Sequence, residues 1–220
     1  MNEISVVART IVYATFAFAP LAILLLQPVG APGAQSSPRE PASRQRRLRG
    51  RVRMGAVLST PALVAGGAAA LGGAGAPESL WIVALSCSYQ FAWFSGYLLL
   101  GARRLAAVVV AVLPPLIVAA TFAPNTVVES SPGVLASPLA PAVMAHIDPV
   151  IGIGHHLLND AVLVRNYSYY QAEAHPPAPG RLLVLHLAFA CLALLVTGAA
   201  WIARRSPRAS RVDPRRRSPA

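Results

Sequence analysis

Histidines and carboxylates gather in one stretch of an otherwise apolar chain. His146, Asp148, His155, His156, Asp160, Glu173 and His175 all fall between residues 146 and 175. Imidazole and carboxylate groups can ligate a divalent metal, and His156 with Asp160, four residues apart, has the spacing of a ligand and the group that orients it. The residues lie in several short pieces without a recurrent ligand spacing, however. We therefore read His146, Asp148, His155, His156 and Asp160 as a polar site at a membrane surface and assign no metal. A second polar group, Ser86, Ser88, Tyr89 and Gln90, sits in the middle of an apolar run, where its hydrogen bonds must be made inside the protein. Packing between helices is the expected use of these four.

Several chemistries are excluded. The chain contains no lysine, so a Walker-type GxxxxGK[ST] phosphate loop cannot occur, and it carries no HExxH, GxSxG or CxxC pattern. Cys87 and Cys191 both lie within apolar runs, which argues against a disulfide framework or a zinc site. No catalytic residue, cofactor or enzymatic activity is assigned.

The elements that must position these residues are membrane helices. With 55% hydrophobic and 12% charged residues and a mean hydropathy of +0.54, the 220-residue chain lies outside the range of soluble globular domains. The first apolar run, Thr10 to Val29, is long enough to cross a hydrocarbon core of about 30 Å. Its flanks lack the charge and cleavage pattern of a signal peptide, so it is expected to be retained, with Pro20 kinking it. The runs from Met54 to Ala76, Leu80 to Ala102, Leu105 to Ala123 and Leu182 to Ala203 give four more spans, the fourth broken at Pro114-Pro115. Small residues at 62, 66, 70 and 74 predict a smooth face on the second span, and Ala76 to Ser79 a tight turn after it.

Between the fourth and fifth spans, two short outer helices are expected. Ser137-Pro138 opens one that runs through His146. The other is VIGIGHHLLNDAVLV, after Pro149, with Val150, Ile153, Leu157, Ala161 and Val164 on its apolar face. On the opposite face His155 can meet Asn159, and His156 can meet Asp160. At fifteen residues this helix is too short to span, so it is interfacial or re-entrant. The fold class is thus an all-α integral membrane protein of about five transmembrane helices plus two short outer ones. Asn166-Tyr167-Ser168 also fits a glycosylation sequon, a pattern common by chance.

Arginine fixes the direction. Seven arginines crowd residues 39–53, in a Pro- and Ser-rich linker (30–53) with little apolar content. Another seven occupy the tail 204–220, expected to be disordered, and the pair Arg103-Arg104 ends the third span. Five spans place sixteen arginines on one side and Arg9, Arg165 and Arg181 on the other. The positive-inside rule then sets the amino terminus outside and the carboxyl terminus in the cytoplasm of a plasma-membrane protein. The net charge of +11 is directed at anionic lipid rather than nucleic acid.

From residue 54 onward this layout resembles the carboxyl-terminal two-thirds of a type-2 ABC exporter permease, the membrane subunit that works with a separate ATPase. The resemblance rests on a hairpin of spans, a break at Arg103-Arg104, a proline-containing span, two short external helices (SPLAPAVMAHIDP and VIGIGHHLLNDAVLV) and a last span with a basic tail. It implies a transport subunit that pairs as a homo- or heterodimer. It also implies that SPREPASRQRRLRG meets the ATPase, with Arg44, Arg46, Arg47, Arg49, Arg51 and Arg53 as contact residues. Permeases of that family have six spans with both termini inside, so the resemblance leaves a first span unaccounted for. The alternative reading is a small structural or assembly membrane protein without transport activity.

Overall fold

The computed structural model describes residues 4–26, 42–101, 104–122, 148–160 and 177–205. Among them every regular element is helical. Helix α1 (Val6–Phe18) passes directly into a 3-10 helix (Ala19–Leu26). Then come α2 (Ala42–Leu71), α3 (Ala76–Leu99), α4 (Arg104–Thr121), α5 (Pro149–His156) and α6 (Pro179–Arg205). Four of the helical segments, Val6–Leu25, Met54–Leu71, Ala76–Leu99 and Pro179–Ala203, are long and apolar enough to cross a membrane. The apolar run of α4, Arg104–Ala119, is shorter.

The boundaries differ from the sequence reading for local reasons. The first helix starts at Val6 because the Ser5 hydroxyl accepts from the Ala8 amide (3.2 Å), a side-chain cap that draws Arg9 inside the helix. Pro20 neither ends the segment nor simply bends it; the chain tightens to 3-10 geometry from Ala19 on. Helix α2 begins twelve residues before Met54, so the arginine-rich part of the expected linker is a helical extension of the second span. Arginine is a good helix former, and residues 42–49 contain neither glycine nor proline. The turn after α2 falls at Gly72-Gly73, where Gly73 adopts a φ of +99° that only glycine takes easily, while Ala76 to Ser79 already belong to α3. Helix α4 runs unbroken through Pro114-Pro115. Each of these prolines removes one i→i−4 hydrogen bond, and the lost bonds do not end the helix.

Helix α3 is the centre. It packs along α6 and α2, and 50% of its most apolar stretch is buried, against 22% for α2 and α6. Helix α1 lies against α2 and α4. The smooth face of α2 is present but rotated from the expected one. Ala62, Ala65, Gly66 and Ala69 are buried while Ala70 is exposed, because 3.6 residues per turn favours an i, i+3, i+4, i+7 stripe over a strict four-residue repeat. At Gly66 a Cβ would collide with the Val83 side chain, so glycine is what allows α2 and α3 to approach this closely.

Helix α5 is buried from Pro149 to Gly154 on every side, among α1, α3, α4 and α6. Among the described residues α5 is thus covered on every side by other helices rather than leaving one face open. Gly152 permits this packing: a Cβ there would lie 2.9 Å from the Pro177 carbonyl oxygen and against Leu182.

Candidate functional site

Two polar clusters meet at the centre of the bundle. The first is built by α5. Asp148 caps it: one carboxylate oxygen accepts from the Val150 amide (2.9 Å), and the other accepts from the Thr121 hydroxyl at the end of α4. The residue is completely buried. Burial pushes its carboxyl up to about 6, against the opposing pull of the Thr121 and Val150 hydrogen bonds.

The helix ends after His156, eight residues before the end of the expected amphipathic face at Val164, and the cause is Asn159. Its φ of +46° is a left-handed conformation that asparagine tolerates, and it turns the chain so that the Asp160 amide donates to the Gly154 carbonyl (2.8 Å). Neither Asn159 nor Asp160 is helical, so the shared helix face expected for His155 with Asn159 and for His156 with Asp160 does not extend past His156. Asp160 is instead carried back to α1. Its carboxylate lies 3.4 Å from the Arg9 guanidinium and accepts from the Tyr13 hydroxyl at 2.8 Å, a contact spanning 147 residues. Tyr13 in turn packs on Phe122, with ring centroids 5.3 Å apart. The two histidine rings stack edge to face at 4.6 Å.

The second cluster belongs to α3 and α6. Ser86, Ser88, Tyr89 and Gln90 are all buried. Ser88 reaches across to His186 of α6, with 3.2 Å between Oγ and Nδ1, and also donates to the Leu85 carbonyl at 2.9 Å. Ser86, Gln90 and the His186 Nε2 atom are buried with no hydrogen-bond partner among the described residues. Such groups cost about 1–3 kcal/mol each when dry and unpaired, so their presence points to contacts made with something else. The Tyr89 ring joins the clusters, lying 5.5 Å from Phe16 of α1, 5.5 Å from His186 and 6.1 Å from Trp93.

Beside Tyr89 and His186 lies a half-open cavity of about 470 Å³, lined by α3, α4 and α6. Trp93, Val110, Leu113 and Phe189 form much of its wall, which is almost wholly apolar apart from Tyr89, Tyr97 and His186.

Of the residues singled out in the sequence, Asp148, Asp160, Ser86, Ser88, Tyr89 and Gln90 thus enter the polar clusters. His146, Glu173, His175, the first outer helix and the sequon lie outside the described residues, as do the arginine side chains of 44–53. Among the described residues no group of three or more His, Cys, Asp or Glu is placed to hold a metal ion. Sequence reasoning missed Arg9, Tyr13, Thr121 and His186. The available signal was polarity inside apolar runs: an arginine and a histidine in spanning helices must find partners within the protein. No protein-family model, curated protein sequence or solved structure matches this chain.

Proposed function

We propose that the chain is a transport permease subunit of five membrane spans, α4 being counted with the four longer segments, acting with a separate cytoplasmic ATPase. The observation that carries this reading is α5, a short helix buried between spanning helices in the place where the resembled permeases hold an external helix. A buried carboxylate at its start and unpaired polar groups beneath it give a substrate path something to contact. In this reading the arginine-rich end of α2 is the coupling element. Its twelve residues before Met54 project about 18 Å beyond the apolar span, as a rigid continuation of it. The tail anchors to anionic lipid.

Replacing Arg46, Arg47, Arg49 and Arg51 with glutamine is expected to reduce co-purification of the ATPase several-fold, while replacement of Arg215, Arg216 and Arg217 leaves it intact. Equal loss from both sets, or no associated ATPase with the unaltered chain, removes the coupling reading. Orientation has its own test. With the amino terminus outside a plasma membrane, single cysteines near Arg46 and Arg211 stay unlabelled by an impermeant reagent in intact cells, and cysteines near Ser131 and Glu173 react. Labelling of the Arg46 region from outside reverses the arrangement.

A structural or assembly role is the second reading. It is favoured by the broad apolar faces left open on α2 and α6, including Leu63, Val64, Leu192 and Leu195, which suit a partner helix as well as lipid.

A further inference from the structure

Two carboxylates and one arginine gather around α5. Asp160 takes the arginine, Arg9, at 3.4 Å, and the fully buried Asp148 is left without a counter-charge among the described residues. What acts on the Asp148 carboxyl is burial and two hydrogen bonds, so no described cation stands close enough to hold its charge. Of the titratable groups on the elements around it, α1 offers Tyr13 and α3 offers Tyr89, which both feel that charge and are themselves uncharged at neutral pH. On α6, His186 is turned to Ser88, and α4 presents the Thr121 hydroxyl. On α5 itself His155 and His156 occupy the last turn, roughly 10–12 Å along the axis from Asp148.

The hydrogen bonds fix where a proton lies. The Thr121 hydroxyl has two acceptors in reach, Asp148 Oδ2 and, at 3.3 Å, the Ile117 carbonyl, but only one hydrogen to give. With Asp148 ionised, one of these contacts lacks a hydrogen. With Asp148 as the neutral acid both are made, because Oδ2–H donates to Thr121 and Thr121 donates to Ile117. Oδ1 accepts from the Val150 amide at 2.9 Å in either state. A metal ion does not fit in the proton's place, since Oδ1 already faces an N–H donor and a hard cation takes about six oxygen ligands. Burial moves the carboxyl in the same direction, up to about 6.

Position decides when the proton is held. Asp148 is the root of α5, and a carboxylate that leaves the bundle for water regains its hydration and its charge. We infer that Asp148 and Thr121 form a proton-binding site at the root of α5, where a proton from water neutralises the carboxylate as α5 seats and returns to water as α5 withdraws. One proton is taken up per seated helix, and no other group changes charge. The inference goes beyond the transport reading and does not depend on it.

The test uses the full chain in phosphatidylcholine nanodiscs. Infrared difference spectra follow the carbonyl stretch of protonated carboxylic acids from about pH 4 to about pH 8, and subtraction of Asp148→Asn isolates one of the eight carboxyl side chains. The isolated band is expected to fade with a midpoint of about 6. Thr121→Val should raise that midpoint, because the charged form loses a stronger hydrogen bond than the acid does. Seating is read separately, from the reaction of dithiodipyridine with Ile153→Cys in a chain whose Cys87 and Cys191 are changed to alanine, Ile153 being fully buried. At about pH 8 that cysteine is expected to react about a hundred-fold faster beside Asp148 than beside Asp148→Asn, closing to about two-fold at about pH 4. Comparison of the two chains at one pH cancels the ionisation of the thiol. An acid band in the parent that titrates wholly as ordinary carboxylates do, at about pH 4, overturns the proton site without reliance on a variant. So does a midpoint that Thr121→Val lowers or leaves in place. A rate ratio that stays constant with pH overturns the link to α5.

Discussion

Asp160→Ala is expected to destabilise the folded protein by about 3 kcal/mol, the lower end of the cost of removing one partner from a buried ion pair. The lower end applies because the Arg9 side chain keeps 20% of its surface exposed and can recover some hydration, whereas Asp160 keeps 9%. The substitution strips Arg9 of its counter-charge and the Tyr13 hydroxyl of its acceptor together, and it releases the end of α5 from α1. Unfolding of the purified protein in detergent measures the effect. Asp160→Asn keeps an acceptor for Tyr13 and should lose less. The double variant Arg9→Met, Asp160→Leu should recover much of the loss, because no buried charge is left alone. Single and double variants all within about 0.5 kcal/mol of the parent would show that the pair holds nothing together.

Asp148 should behave in the opposite sense. Its carboxyl titrates at about 6 in the folded chain against an ordinary 3.8, so the folded protein binds a proton more readily than the unfolded one across that window. Stability therefore falls as pH rises from about 4 to about 6, and the charged form is the destabilised one at neutral pH. At about 1.4 kcal/mol per pH unit the effect is about 3 kcal/mol. Asp148→Asn removes the charge and keeps a good helix cap, so at pH 7.5 it should unfold later than the parent, with the gap closing towards pH 4. Asp148→Ala loses the cap as well and should gain less. Parallel stability curves for the parent and Asp148→Asn between pH 4 and 7 would contradict this account.

Much of the helical skeleton was legible because its cause is local. Uncharged runs of about twenty residues bounded by arginine have few alternatives to a membrane helix, and four such helices are present. Boundaries were less legible. The Ser5 cap and the left-handed Asn159 each decide where a helix starts or stops through one residue, and hydropathy averages over them. The site was the least legible part. Asp160 could be placed on a helix face beside His156, yet its partners are 147 and 151 positions away in sequence, and only packing of α5 against α1 brings them together. Ser88 was visible as a polar residue in an apolar span. That its partner is the lone histidine of the last span follows from α3 and α6 lying side by side.

The switch from α to 3-10 geometry at Ala19 alters the reach of the first span. Eight residues rise about 16 Å as a 3-10 helix and about 12 Å as an α-helix, so the 21 residues from Val6 to Leu26 extend about 36 Å instead of about 31 Å. That length exceeds the roughly 30 Å of an ordinary hydrocarbon core, and a thin bilayer of about 27 Å would widen the excess further. Hydrophobic mismatch of this kind is relieved by leaning. The segment around Pro20 thus selects the bilayer thickness at which the first helix stands upright.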